Sequence, residues 1–236
     1  LSDAATVLDR AVALCEAHHD MLHLASSMNN RGILRAFQGD RAGMTADFER
    51  VISLGRELGQ YYLEYCGHSN LGEFLYWMDR IDEADEHVAR ARATNERWAA
   101  GGFRPETVLL EARIALYRGD GAHARTLAQR LRGESAAPLA APSDDVLCSM
   151  VELATSDGDD AAWDELEARA ARFHVWQERI EVIEARAMAE ARRGCVDAAR
   201  KHYERAVELA GQIPNVLRER IVRGLTRLGA QETTRA

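Results

Sequence analysis

One triplet of small, large and small apolar residues returns at a fixed interval along this chain. Ala4, Leu8 and Ala11 are followed forty positions later by Met44, Phe48 and Val51, and forty later again by Ala84, Val88 and Ala91. Another forty reaches Ala124, Ala128 and Leu131, after which the interval shortens through Ala162 and Leu166 to Ala199, Tyr203 and Ala206. Residues at i, i+4 and i+7 lie on one stripe of an α-helix, so each triplet marks an amphipathic helix that a neighbour can approach closely. Self-similarity at a fixed period constrains the fold more than composition does, because each unit can bury its apolar face only against the next.

A second set of helices repeats between the first. Gly32 in NNRGIL and Gly72 in SNLGEF stand forty apart, with Ala112 in the third place. A glycine inside a helix costs about 1 kcal/mol against alanine, so its return suggests close helix–helix approach. Turns recur at Gln38-Gly39-Asp40, Arg118-Gly119-Asp120 and Asp157-Gly158-Asp159. Glycine suits the left-handed residue that ends a helix, and aspartate caps the next one. Met78-Asp79-Arg80 fills the same place without glycine.

The resulting map is all-α. A lone second helix covers 3–18, helix pairs cover 21–58, 61–98, 104–132, 144–173 and 176–211, and Pro214 opens a capping helix over 214–229. Arg218, Glu219, Arg220, Arg223 and Arg227 give that last helix a wet outer face, and the QETTRA tail after it is expected to fray. The loop-like stretch 133–144 is a candidate hinge. The chain begins with Leu1 and with half a repeat, which suggests a piece of something longer.

Composition bounds the function. The net charge of −8 argues against a nucleic-acid backbone as partner. Cys15, Cys66, Cys148 and Cys195 form no CxxC pair, which suggests reduced thiols of a cytoplasmic protein. No apolar run approaches the length of a membrane span and no stretch reads as a signal peptide, so neither secretion nor membrane spanning is expected.

Residues 182–212, 29–56 and 69–95, with 108–132 and 150–170 less clearly, resemble tetratricopeptide (TPR) units. The resemblance implies a right-handed α-solenoid of antiparallel helix pairs, generally non-catalytic, whose concave face binds peptides or partner domains. A period of forty is longer than usual for that family. It is similar to the sensor arrays of bacterial signal-transduction ATPases and transcription activators, and to those of peptide-pheromone receptors. The expected function is therefore a protein- or peptide-binding scaffold, the sensing or docking arm of a larger regulatory protein. The alternative is an assembly module that acts through homo-oligomerisation, a homodimer for example. The carboxylate clamp of some TPR proteins is not supported, because Ile33, Glu106 and Leu110 stand where it would want asparagine or bases.

On this reading the concave candidates are Asn29, Ile33, Ser69, Glu73, Arg113, Glu152, Glu184 and Met188. Phe37, Trp77 and Tyr117, forty apart, form either inter-repeat packing or an apolar binding strip. Tyr76 and Trp77 are adjacent on a helix, so at least one of them should face the groove. Asp144, Asp145, Glu152, Glu181 and Glu184 make the C-terminal half acidic, either as a solvated face or as a seat for a basic partner segment. Cys15, His18, His19 and His23 are the densest group of metal-ligand types, but the helix should end near Asp20 and disperse them, so no metal or other cofactor is expected. The signatures GxxxxGK[ST], GxSxG, HExxH and a strand-borne GxGxxG are missing, and no enzyme is expected.

Overall fold

Helix after helix in this protein ends in the same backbone closure. The amides of Asp20, Asp40, Gln60, Arg80, Asp120 and Cys195 each donate to the carbonyl five residues earlier, at 2.8–2.9 Å. The residue just before each donor is left-handed: His19 (φ 55°), Gly39 (77°), Gly59 (64°), Asp79 (66°), Gly119 (86°) and Gly194 (80°). This is the Schellman arrangement, which satisfies carbonyls that a helix end would leave open. Side-chain oxygens of Asp20, Asp40, Asp120 and Asp159 then accept from the third amide of the following helix, at 2.8–3.2 Å.

The structure, a computed structural model, describes residues 2–98, 102–134, 141–156, 158–172, 176–212 and 215–235. Among them stand twelve α-helices: α1 (Ser2–Ala17), α2 (Met21–Phe37), α3 (Arg41–Glu57), α4 (Tyr61–Trp77), α5 (Ile81–Arg97), α6 (Pro105–Tyr117), α7 (Gly121–Glu134), α8 (Pro142–Ala154), α9 (Asp160–Ala170), α10 (Trp176–Arg192), α11 (Val196–Gly211) and α12 (Arg218–Arg235). No strand occurs among the described residues. None of these helices is long and apolar enough to cross a membrane.

Two details differ from the sequence expectation. The last helix starts at Arg218, and it continues to Arg235, so the tail read as frayed is helical. Residues 135–140 of the candidate hinge, with Asp157 and Pro214, lie outside the described residues. His18-His19-Asp20 closes α1 just as the glycine turns close their helices, although no glycine announced it.

The chain divides into two compact units, Leu1–Thr107 with Pro214–Val216, and Val108–Ile213 with Leu217–Ala236. In the first unit α1 to α5 each pack on the next, and α2 also meets α4. Val12, Leu24, Met28, Val51, Leu54 and Leu63 form a buried cluster there. Close approach explains the glycines: a Cβ on Gly32 would lie 3.0 Å from the Phe48 ring, and one on Gly55 2.5 Å from the Glu64 amide nitrogen. Phe74 joins three aromatics, stacked on Phe48 (5.7 Å) and edge-on to Phe37 (6.3 Å) and Trp77 (5.2 Å).

The buried charges of this unit are held in company. Asp47, 3% exposed, accepts from Arg31 at 2.7 and 2.9 Å and from Arg35 at 2.8 Å. Burial alone would raise the Glu64 carboxyl, but Arg56 and Arg97 outweigh it and hold the group below its ordinary range. The buried His68 meets His87 with its Nδ1 3.0 Å from the other Nδ1, and Arg56 Nη2 at 3.1 Å from its Nε2.

In the second unit α8, α9, α10, α11 and α12 pack in succession, α7 meets α8, and α8 also meets α10. Their core includes Leu109, Leu131, Met150, Trp163, Leu166 and Val182. Arg186 draws Asp160, Asp164, Glu167 and Glu190 together, and burial of its guanidinium is outweighed by these carboxylates.

Candidate functional site: an arginine and tyrosine cleft

Within the second unit the ends of α6 and α10 meet α11 and α12 around a cleft of about 420 Å³. Tyr203, the large residue of the last apolar triplet, forms its floor, and its flanking Ala199 and Ala206 are fully buried. Gly224 of α12 makes this possible: a Cβ there would fall 2.6 Å from the Tyr203 ring and 3.2 Å from its hydroxyl. Tyr117, the last residue of α6, forms a wall. Arg220 and Arg227 lie over its ring at 4.9 and 5.6 Å, and Arg227 Nη2 donates to its hydroxyl at 2.6 Å.

The charge of the lining is one-sided. Arg118, Arg192 and Arg227 line the cleft, and no carboxylate does. Arg192 donates to the Ala154 carbonyl at 3.0 Å and has no ion pair among the described residues. Arg192 is exposed as a whole, and partial desolvation of its guanidinium beside the cleft wall lowers it from the ordinary arginine value. Tyr203 is 6% exposed, and its hydroxyl has no hydrogen-bond partner among the described residues. Burial raises its pKa, so the phenol keeps its proton and remains a donor.

A larger and more open hollow of about 570 Å³ lies along α7, α8 and α9. Its lining mixes signs, Arg125 and Arg169 with Glu152 and Glu165, and Arg169 is engaged by Asp145. The tyrosine cleft is therefore the better candidate, since its charged lining is of one sign and its floor holds a buried hydroxyl with no hydrogen-bond partner among the described residues.

The expected site residues fall in several places. Tyr117 and Met188 both line the cleft. Glu152 pairs with Arg132 at 3.2 Å beside the other hollow. In the first unit the Asn70 amide donates to Asn29 at 2.8 Å, so these two side chains occupy each other. Ile33, Phe37, Ser69 and Glu73 are half-buried in that unit.

Two expectations are corrected. Tyr76 and Trp77 are both buried, at 3% and 4% exposure, so neither is open to a groove. The reason is that the last turn of α4 buries Phe74, Leu75, Tyr76 and Trp77 in succession, and a turn enclosed all round has no free face for orientation to select. Within the acidic C-terminal half, Glu181 and Glu184 are neither a solvated face nor an open seat for a basic partner. Glu181 holds Arg113 at 2.6 and 2.8 Å, Glu184 holds Arg220 at 3.0 Å, and all four are buried. Asp145 is taken by Arg132 and Arg169.

Arg192, Tyr203, Gly224 and Arg227 were not among the expected site residues. A signal for the arginines exists: neither Arg192 nor Arg227 has a carboxylate at i±3 or i±4 in the sequence. Among the described residues no group of three or more His, Cys, Asp or Glu is arranged to hold a metal ion; His23 Nδ1 instead meets Asp20 at 2.8 Å. No family model matches this chain, and no curated protein matches it either.

Proposed function

We propose that this chain is a non-catalytic scaffold of the TPR type, a right-handed solenoid of antiparallel helix pairs that binds a protein or peptide. It would serve as the sensing or docking arm of a larger regulatory protein. The regular helix closures, the packing of each helix on its sequence neighbours within a unit and the α2–α4 and α8–α10 contacts support the repeat reading. The observation that carries the binding reading is the cleft itself, on whose floor the buried Tyr203 hydroxyl has no hydrogen-bond partner and beside which Arg192 has no ion pair, among the described residues. The test is selection of a displayed random-peptide library on the folded chain, followed by calorimetry of the enriched peptides. Saturable one-to-one binding is expected; a library that yields no binder above background would sink the reading.

A second reading, self-association, is favoured by apolar side chains left open along α1 and the start of α2: Val7 is 67%, Leu14 50% and Leu22 48% exposed. Sedimentation equilibrium over a wide concentration range decides it. A dimer that Val7→Glu dissociates supports it, and a monomer throughout rules it out.

A further inference from the structure

Resting on that binding reading, we infer that the tyrosine cleft recognises an acidic side chain flanked by an apolar one in a partner peptide. Three features lead there. Arg192 and the Tyr203 hydroxyl both lie in the cleft, both can donate, and neither has an acidic or accepting side chain to receive it among the described residues. The group that satisfies both at once is an oxyanion, and a guanidinium with a neighbouring hydroxyl suits a carboxylate well. The lining agrees: its charged members are arginines and it holds no carboxylate, which favours an acidic group over a basic one.

Shape then separates a peptide from a bare anion. The cleft volume falls within the roughly 300–1,000 Å³ usual for sites that take ligands much larger than a single ion. Its remaining walls are Leu116, Met188 and Leu228, which offer apolar contact beside the donors. Met188 is unbranched and polarizable, so it can adjust to side chains of different outline. Bound phosphate alone would leave those walls empty. An acidic residue next to a leucine-like one would use both surfaces.

The unpartnered hydroxyl makes the test clean. In the free chain Tyr203→Phe removes no hydrogen bond, so its melting temperature should match that of the parent. The probes are the capped tripeptide acetyl-Leu-Glu-Leu-amide, its uncharged analogue acetyl-Leu-Gln-Leu-amide, and inorganic phosphate, each titrated into isotopically labelled protein and followed by amide and arginine side-chain NMR signals. Expected are saturable shifts at Arg192 and around Tyr203 with the glutamate peptide, weakened by salt, and at least tenfold weaker binding of the glutamine peptide. Arg192→Gln should weaken the glutamate peptide at least tenfold, and Tyr203→Phe several-fold with no loss of stability.

Phosphate binding as tightly as the glutamate peptide would overturn the assignment in favour of a simple anion site. Equal binding of the two peptides, or no effect of either substitution, would overturn it as well. If library-selected peptides bind but ignore Arg192 and Tyr203, the scaffold reading stands and this site assignment fails. If neither the library nor the tripeptide gives any binding, both fail together.

Discussion

Arg113 on α6 and Glu181 on α10 form a two-pronged ion pair with both side chains almost sealed from solvent, Nε to Oε1 at 2.8 Å and Nη2 to Oε2 at 2.6 Å. The two residues are 68 positions apart in sequence, so the pair ties distant segments of the second unit together. Desolvation makes such a pair a poor source of net stability, yet losing one partner strands a buried charge. Arg113→Met should therefore cost about 3–5 kcal/mol. The double variant Arg113→Met, Glu181→Leu should regain most of that. Urea denaturation of the three proteins checks it, and a double variant as weak as the single would contradict it.

The two histidines of the first unit fix each other's protons. Arg56 can only donate, so His68 accepts at Nε2 and carries its proton on Nδ1, which donates to His87 Nδ1. His87 then carries its proton on Nε2. Long-range nitrogen NMR of the imidazoles should show these two tautomers.

Acid should break this arrangement. Burial first, then His87 and Arg56, depress His68 from 6.5 to about 3, and burial with Arg90 also lowers His87. The unfolded chain therefore takes up protons at these sites before the folded one does, so their contribution is complete above pH 6.5 and declines as the pH falls from there toward 3. His87→Gln can still accept from His68 and gains no proton of its own. Its melting temperature should fall less steeply than the parent's between neutrality and about pH 4.

Two backbone substitutions should act in opposite directions. Gly55→Ala would drive a methyl to 2.5 Å from the Glu64 amide nitrogen, so α3 and α4 must separate, at about 1–3 kcal/mol. His19 is exposed and left-handed, with φ 55°, and glycine there relieves the Cβ clash, worth about 1 kcal/mol. Chemical denaturation should show a loss for the first and a gain for the second.

Thiol chemistry should separate the cysteines by depth. Cys195 is exposed at the start of α11, whereas Cys148 is sealed in the second unit's core and burial pushes its thiol up to about 11. A coloured disulfide reagent should label Cys195 within the first fast phase and Cys148 only as the chain unfolds. Fast labelling of Cys148 in the native protein would mean that the core opens readily.

The helices were legible because their punctuation is local. Gly39, Gly119 and Gly194 announce left-handed ends, and the apolar triplets that begin at Met44, Ala84, Ala124 and Ala199 are buried, whereas Ala4 of the first is exposed. His19 and Asp79 do the same work without glycine; the forty-residue register marked Asp79, and no glycine marked His19. The site was harder, because charge pairing is not local. Glu181 and Glu184 read as acidic surface until Arg113 and Arg220, from 68 and 36 positions away, are seen to cover them. Tyr117 and Met188 were singled out for a concave wall, and they meet in a cleft whose polarity is set by Arg192 and Arg227.

The closures also act as a ruler. Helices α2 to α5 are seventeen residues each, and the closing amides fall at Asp20, Asp40, Gln60 and Arg80. One residue added inside such a helix would swing everything beyond it by about 100° around the axis, carrying apolar stripes away from their neighbours. A helix gained or lost together with its closing turn changes no such phase. Growth and shrinkage of a chain like this should therefore proceed in whole steps, and the loops between them are the places where single residues can come and go.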